Sequence, residues 1–147
     1  MYRVLLPLDT SESRTAAQVD AVASLPGAEG GVEATLLHVF DDRETAESTS
    51  IGQLPTGSMA QDSLRTSGIR VETATRFGDP AEQILRAADE IDADMIVLGG
   101  RKRSPLGSLL FGSVSQAVTL DATRPVVITG GSEEVEASEG AGAATAE

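Results

Sequence analysis

The chain contains no cysteine and no tryptophan, one histidine (His38) and, among its eleven basic residues, one lysine (Lys102). Without cysteine there is neither a disulfide framework nor thiol catalysis, and one histidine is too few for the usual histidine-rich zinc sites. No apolar run approaches the ~20 residues that a membrane span needs, so we expect no membrane partner. The first residues lack the apolar core of a signal peptide, and we therefore expect a cytoplasmic protein.

Charge is strongly one-sided, with 23 Asp and Glu against 11 Lys and Arg and a net charge of −12. Since affinity for nucleic acids depends on cationic contacts to phosphate, a polynucleotide partner is not expected. An acidic chain with almost no lysine is typical of a salt-accumulating cytoplasm, where salt screens self-repulsion. A GC-rich genome that favours arginine codons would give the same composition. Of the two explanations we favour a halophile.

The 147 residues and 15.2 kDa correspond to one domain. We place this domain at residues 1–131, because residues 132–147 hold only small residues, one valine and five glutamates. Such a segment cannot bury enough apolar surface to order itself. It is therefore predicted to be a disordered acidic tail.

Five apolar or alternating segments predict β-strands, near residues 3–8, 32–40, 69–77, 94–100 and 125–128. Helical spacing connects most of them, near 12–25, 58–67, 80–88 and 113–118. Residues 41–57 show no period and are predicted to be a loop, whereas 69–77 alternate like an edge strand. Alternating strands and helices indicate an α/β fold with a parallel, doubly wound sheet.

A basic, glycine-containing segment runs from Gly99 to Ser113. A strand that ends in glycine leads through three basic residues, 101–103, to Gly112-Ser113 at a helix start. Backbone amides at such a start can bind phosphate. The alternative is that the glycines permit turns and Ser113 merely caps the helix. Neither a Walker loop nor a dinucleotide fingerprint is present.

Six segments in order resemble the universal stress protein family: VLLPLDTSE (4–12), LLHV (36–39), GDP (78–80), ADMIVLG (93–99), LFGSV (110–114) and RPVV (124–127). The resemblance covers about residues 2–130. It implies a five-stranded parallel sheet in the order 3-2-1-4-5 with helices on both faces, and a homodimer through the last strand, Pro125 to Thr129. One branch of the family binds ATP, which implies a nucleotide-binding module of the stress response.

The resemblance also implies the residues of that site and its ligand, ATP or another adenine nucleotide, with Mg²⁺ as a candidate companion ion. The adenosine half would be lined by Pro7, Leu8 and Asp9, with Val39 and Leu98 flanking the base. The phosphates would be held by Gly99, Lys102, Gly112, Ser113 and Val114.

One position departs from the pattern of that branch, Gly-x2-Gly-x9-Gly-Ser/Thr, since its second glycine is Lys102 in this chain. A side chain there weakens the site if the loop needs a positive φ or a close approach to phosphate. The ammonium group could instead pair with phosphate oxygens. The sequence leaves both alternatives open.

Other interpretations remain for single residues and for the function. Asp9 could be an acid stabilised only by a helix dipole, and His38 is best explained as a hydrogen-bonded core histidine. No catalytic or metal-binding residues are assigned. The expected module is not an enzyme, and its rivals are a dimeric interaction protein without nucleotide and a slow ATP hydrolase.

Overall fold

The computed structural model describes residues 1–100 and 112–130, and Lys102 and the 132–147 tail lie outside them. The described residues form one five-stranded sheet in the order β3-β2-β1-β4-β5, in which every neighbouring pair is parallel. The predicted order 3-2-1-4-5 is thereby confirmed. The strands are β1 (Tyr2–Pro7), β2 (Val32–Phe40), β3 (Arg70–Phe77), β4 (Met95–Leu98) and β5 (Val126–Ile128).

Helices connect the strands as a doubly wound sheet requires. They are α1 (Glu12–Ala23), the single turn α2 (Ala28–Gly31), α3 (Arg43–Ser48), α4 (Pro55–Thr66), α5 (Pro80–Glu90) and α6 (Ser113–Asp121). Helix α5 begins as the sequence predicts, because Asp79 accepts a hydrogen bond from the Glu82 amide at 3.0 Å and Pro80 is the first helical residue.

Two apolar cores cover the two faces of the sheet. Alternate residues of β1 point to opposite faces: Val4 and Leu6 pack with α1 and α4, whereas Leu5 packs with α5 and α6. All three are fully buried. Burial on both faces explains the nearly unbroken apolar runs in the central strands, and helices on both faces are confirmed.

The predicted loop at residues 41–57 is wrong, because α3, a 3₁₀ turn at Ile51–Gln53 and the start of α4 occupy it. Helix α3 and the 3₁₀ turn are too short to show a helical period, and only the first turn of α4 lies in this segment. Hydrogen bonds at the N-caps stabilise α3 and the 3₁₀ turn instead. Asp42 accepts from the Thr45 amide at 3.0 Å, and this bond lowers the pKa of the Asp42 carboxyl. Ser50 and Gln53 form a capping box.

Among the described residues, no helix is long and apolar enough to cross a membrane.

Candidate functional site

A cleft of about 320 Å³ lies beyond the carboxyl ends of β1, β2 and β4, where the strand order reverses. In parallel α/β sheets this crevice is the usual ligand position. Its lining contains nine of the ten residues predicted from the sequence: Pro7, Leu8, Asp9, Val39, Leu98, Gly99, Gly112, Ser113 and Val114. The tenth, Lys102, lies outside the described residues. Binding by these residues remains a prediction.

Six further residues line the cleft that sequence reasoning did not assign to it: Arg14, Leu37, His38, Pro80, Ile84 and Ser115. Most of them are ordinary core or helix-start positions in the sequence. For Arg14, helical spacing would have placed the side chain above the strand ends, four residues before the buried Gln18 on α1.

The carboxylate of Asp9 is held in a defined orientation. Its Oδ1 atom accepts from the Ser11 amide at 2.9 Å, and its Oδ2 atom accepts from Nε of Arg14 at 2.8 Å. Arg14 is the more buried partner, with 18% of its side chain exposed against 50% for Asp9. Asp9 is therefore more than an acid stabilised by a helix dipole, and the pair brings one negative and one positive group to the cleft.

The backbone around Asp9 is fixed from two sides. Thr56, a buried residue in the first turn of α4, donates its hydroxyl to the Asp9 carbonyl oxygen at 2.8 Å. On the other side, His38 Nδ1 lies 2.7 Å from the Leu8 carbonyl oxygen. Since a carbonyl only accepts, Nδ1 carries the proton. Sequence reasoning missed Thr56, because it assigned residue 56 to a loop.

His38 is hydrogen-bonded, as the sequence favours, but it is only half-buried. Its ring packs edge-on against Phe40, with the ring centroids 4.6 Å apart. With these contacts the imidazole serves as part of the cleft wall.

Two glycines follow β4, and an added side chain would be tight at Gly99 and would clash with backbone at Gly100. A Cβ atom at Gly99 would lie 3.0 Å from Cβ of Arg14. At Gly100 it would lie 2.0 Å from the Thr129 carbonyl oxygen. Gly99 thus packs closely against α1, and it also lines the cleft.

The amino end of α6 borders the cleft on the opposite side. Gly112 is its N-cap, and the cap has no side-chain hydrogen bond. Ser113 is the first helical residue and is exposed. The first amides of a helix lack intrahelical acceptors and, with the helix dipole, favour an anion. The cleft thus combines an apolar wall, an oriented carboxylate, an arginine and the amino end of α6.

Residues 1–130 match the family model described as the universal stress protein family. The chain belongs to this family. A universal stress protein of Mycolicibacterium smegmatis is 42% identical over 65 residues, which are 44% of this chain and 50% of that protein. The chain spans half the length or less of the first curated relatives it matches.

Solved structures extend the likeness over the whole fold. The universal stress protein from Archaeoglobus fulgidus has a TM-score of 0.72 and 29% identity, covering 88% of this chain and 98% of that one. An Archaeoglobus fulgidus family member in complex with dAMP has a TM-score of 0.66, 24% identity and coverage of 88% and 98%. An Arabidopsis thaliana member with AMP bound has a TM-score of 0.67, 18% identity and coverage of 95% of both chains.

Proposed function

We propose that the cleft binds an adenine nucleotide and that the protein acts as a nucleotide-responsive regulatory module of the stress response. The observation that carries the proposal is the convergence on one cleft of all nine described residues that the sequence assigned to such a site. Members of the family with AMP and dAMP bound support the same class of ligand.

The lining suggests how such a ligand would lie. The base would fit between Val39 and Leu98, which supply apolar surface, and the ribose hydroxyls would donate to Asp9. The phosphates would meet the start of α6 at Ser113. Arg14 adds a positive charge to this wall, and charge-assisted hydrogen bonds are stronger than neutral ones.

Mg²⁺ has no cage of protein ligands among the described residues, where no three or more acidic, histidine or cysteine side chains cluster. Asp9 is the one carboxylate in the described cleft lining, and both of its oxygens accept hydrogen bonds. A companion Mg²⁺ would therefore depend mainly on the phosphates of the ligand.

Replacing Lys102 by glycine tests how the phosphates are held. If its ammonium group contacts phosphate, Lys102→Gly weakens ATP binding by about tenfold to a hundredfold, and Ser113→Ala weakens it by about fivefold. Arg86→Ala is the control, because Arg86 is exposed on α5 and lies outside the cleft lining. Calorimetric titration with ATP gives the affinities, and phosphate release is followed in parallel.

Tighter binding by Lys102→Gly would show that the lysine obstructs the site. Phosphate release coupled to ATP binding would favour the hydrolase instead. If neither wild type nor the variants bind an adenine nucleotide, the protein is the interaction module without nucleotide.

A homodimer through the last strand is the second part of the proposal. Strand β5 is a sheet edge, its residues Val126–Ile128 are half-buried, and Leu120 on the preceding helix is 76% exposed. Apolar edge strands are normally covered or paired. Light scattering in molar KCl is expected to give about twice the chain mass of 15.2 kDa.

Salt dependence of this dimer tests the proposed adaptation to a salty cytoplasm. Two copies that each carry −12 repel one another, and molar KCl shortens the Debye length to ~3 Å. The dimer is therefore expected to dissociate more readily in 0.1 M than in 2 M KCl. Dissociation that does not depend on salt would favour codon bias as the reason for the composition. A monomer in both buffers would contradict the dimer.

A further inference from the structure

A buried glutamine joins the two strands on which the cleft rests. Gln18 lies on α1 and is 1% exposed. Its Nε2 atom donates to the Pro7 carbonyl oxygen of β1 at 2.8 Å and to the Val97 carbonyl oxygen of β4 at 3.0 Å. One side-chain amide thus bonds two backbone oxygens of neighbouring strands.

Pro7 explains why a side chain is needed there. The Leu8 amide donates to Leu37 of β2, so the backbone nitrogen of Pro7 faces β4 by the alternation of the strand. The Ile96 amide donates to the Pro125 carbonyl, and the Thr129 amide donates to the Leu98 carbonyl. Ile96 and Leu98 therefore face β5, and the Val97 carbonyl between them faces β1. In a regular ladder residue 7 would donate to Val97, but proline has no N–H.

The hydrogen-bonded register of β1 with β4 ends just before Pro7. The register of β1 with β2 runs over six pairs, up to Pro7 and Leu37. Its register with β4 has two pairs, Val4 with Met95 and Leu5 with Ile96. The Gln18 amide occupies the space just beyond the last pair, directly below the cleft.

We propose that Gln18 is a positioning residue, which takes the place of the ladder donor that Pro7 lacks and keeps β1 and β4 apart beneath the ligand. Pro7, Leu98 and Gly99 lie at these strand ends and line the cleft. Gly99 packs directly against the helix, since an added Cβ would lie 3.4 Å from Oε1 of Gln18. The ligand in this inference is the adenine nucleotide of the proposed function, on which it rests.

Combining Gln18→Met with Pro7→Ala distinguishes replacement of the ladder donor from positioning of β1 and β4. Methionine keeps the approximate size of glutamine but cannot donate, so Gln18→Met leaves two buried carbonyl oxygens without their donor. The melting temperature is expected to fall by roughly 5–10 °C. In the Pro7→Ala background residue 7 again has an N–H for Val97, so only the residue 7 carbonyl loses its donor and the same substitution is expected to cost about half of that shift.

The AMP affinity of the same variants then shows whether Gln18 positions the strand ends for the ligand or only stabilises the fold. In the double variant the new amide at position 7 bonds Val97 directly and the strands close. Adding Gln18→Met to Pro7→Ala is therefore expected to weaken AMP binding by about tenfold, although about half of the loss in melting temperature is regained. Pro7→Ala alone is the baseline for loss of the proline ring. Gln116→Met is the matched control, because Gln116 is exposed on α6 and outside the cleft lining.

Equal losses of stability in both backgrounds would overturn the replacement of the ladder donor, and recovery of both stability and affinity would overturn the positioning role. If Gln18→Met alone does not fold, the comparison of Pro7→Ala with the double variant still tests both. Absence of AMP binding by wild type would refute the proposed function and the positioning role, whereas the stability comparison would still decide the hydrogen-bond replacement.

Discussion

Replacing Asp9 by alanine is expected to weaken AMP binding by about tenfold to a hundredfold. Asp9 lies two residues beyond the end of β1, lines the cleft and has its carboxylate oriented by Ser11 and Arg14. A preoriented anion accepts hydrogen bonds from hydroxyl groups without losing side-chain freedom, and hydrogen bonds to charged groups contribute about 1.5–3 kcal/mol. The substitution also removes the carboxylate with which Arg14 forms an ion pair.

Asp42→Ala is the matched control for this measurement. Asp42 also accepts a hydrogen bond from a nearby backbone amide, but it caps α3 and lies outside the cleft lining. Its loss is expected to lower stability by about 1 kcal/mol and to leave the affinity unchanged. Equal affinities of wild type and Asp9→Ala for AMP would show that the ribose does not contact this carboxylate.

Gly57→Ala is expected to lower the free energy of unfolding by about 3 kcal/mol and the melting temperature by roughly 10 °C. Gly57 lies in the first turn of α4, where a Cβ atom would be 2.1 Å from the Ile51 carbonyl oxygen. Ile51 is 1% exposed, so the backbone of the 3₁₀ turn would have to move. The neighbouring Thr56 holds the Asp9 carbonyl, and nucleotide affinity should fall as well.

Gly31→Ala provides the control for Gly57→Ala. An added Cβ at Gly31 meets no atom within 4 Å, and the loss of backbone freedom is the same in both substitutions. Thermal melts of the two variants should therefore differ by most of the predicted 10 °C. Similar melting temperatures would mean that α4 and the 3₁₀ turn move apart at little cost.

The sheet could be predicted from the sequence because its strands have unambiguous patterns. The runs around Leu5, Leu36 and Val97 are apolar on both faces, while residues 69–77 alternate as an edge strand does. The order of the strands came from the resemblance. The segment 41–57 could not be predicted, because its elements of three to six residues depend on caps and on the burial of Ala46 and Ile51.

The part of the cleft lining that follows directly from the ends of the strands could be predicted from the sequence. Residues at the ends of parallel strands must meet at one edge of the sheet, which brings Asp9, Val39 and Gly99 together. Arg14, Gln18 and Thr56 were not found, because their roles depend on which face of a helix packs on the strand ends. Their contacts with Asp9, Pro7 and Val97 join segments up to 79 residues apart along the chain.

Titration of the wild-type chain with AMP in 2 M KCl measures whether the cleft binds a nucleotide. One saturating site per chain is expected below about 1 mM, with the affinity reduced in Asp9→Ala and unchanged in Asp42→Ala. No saturable binding of AMP, ADP or ATP at millimolar concentration would contradict nucleotide binding in the cleft and leave the dimeric interaction module as the function.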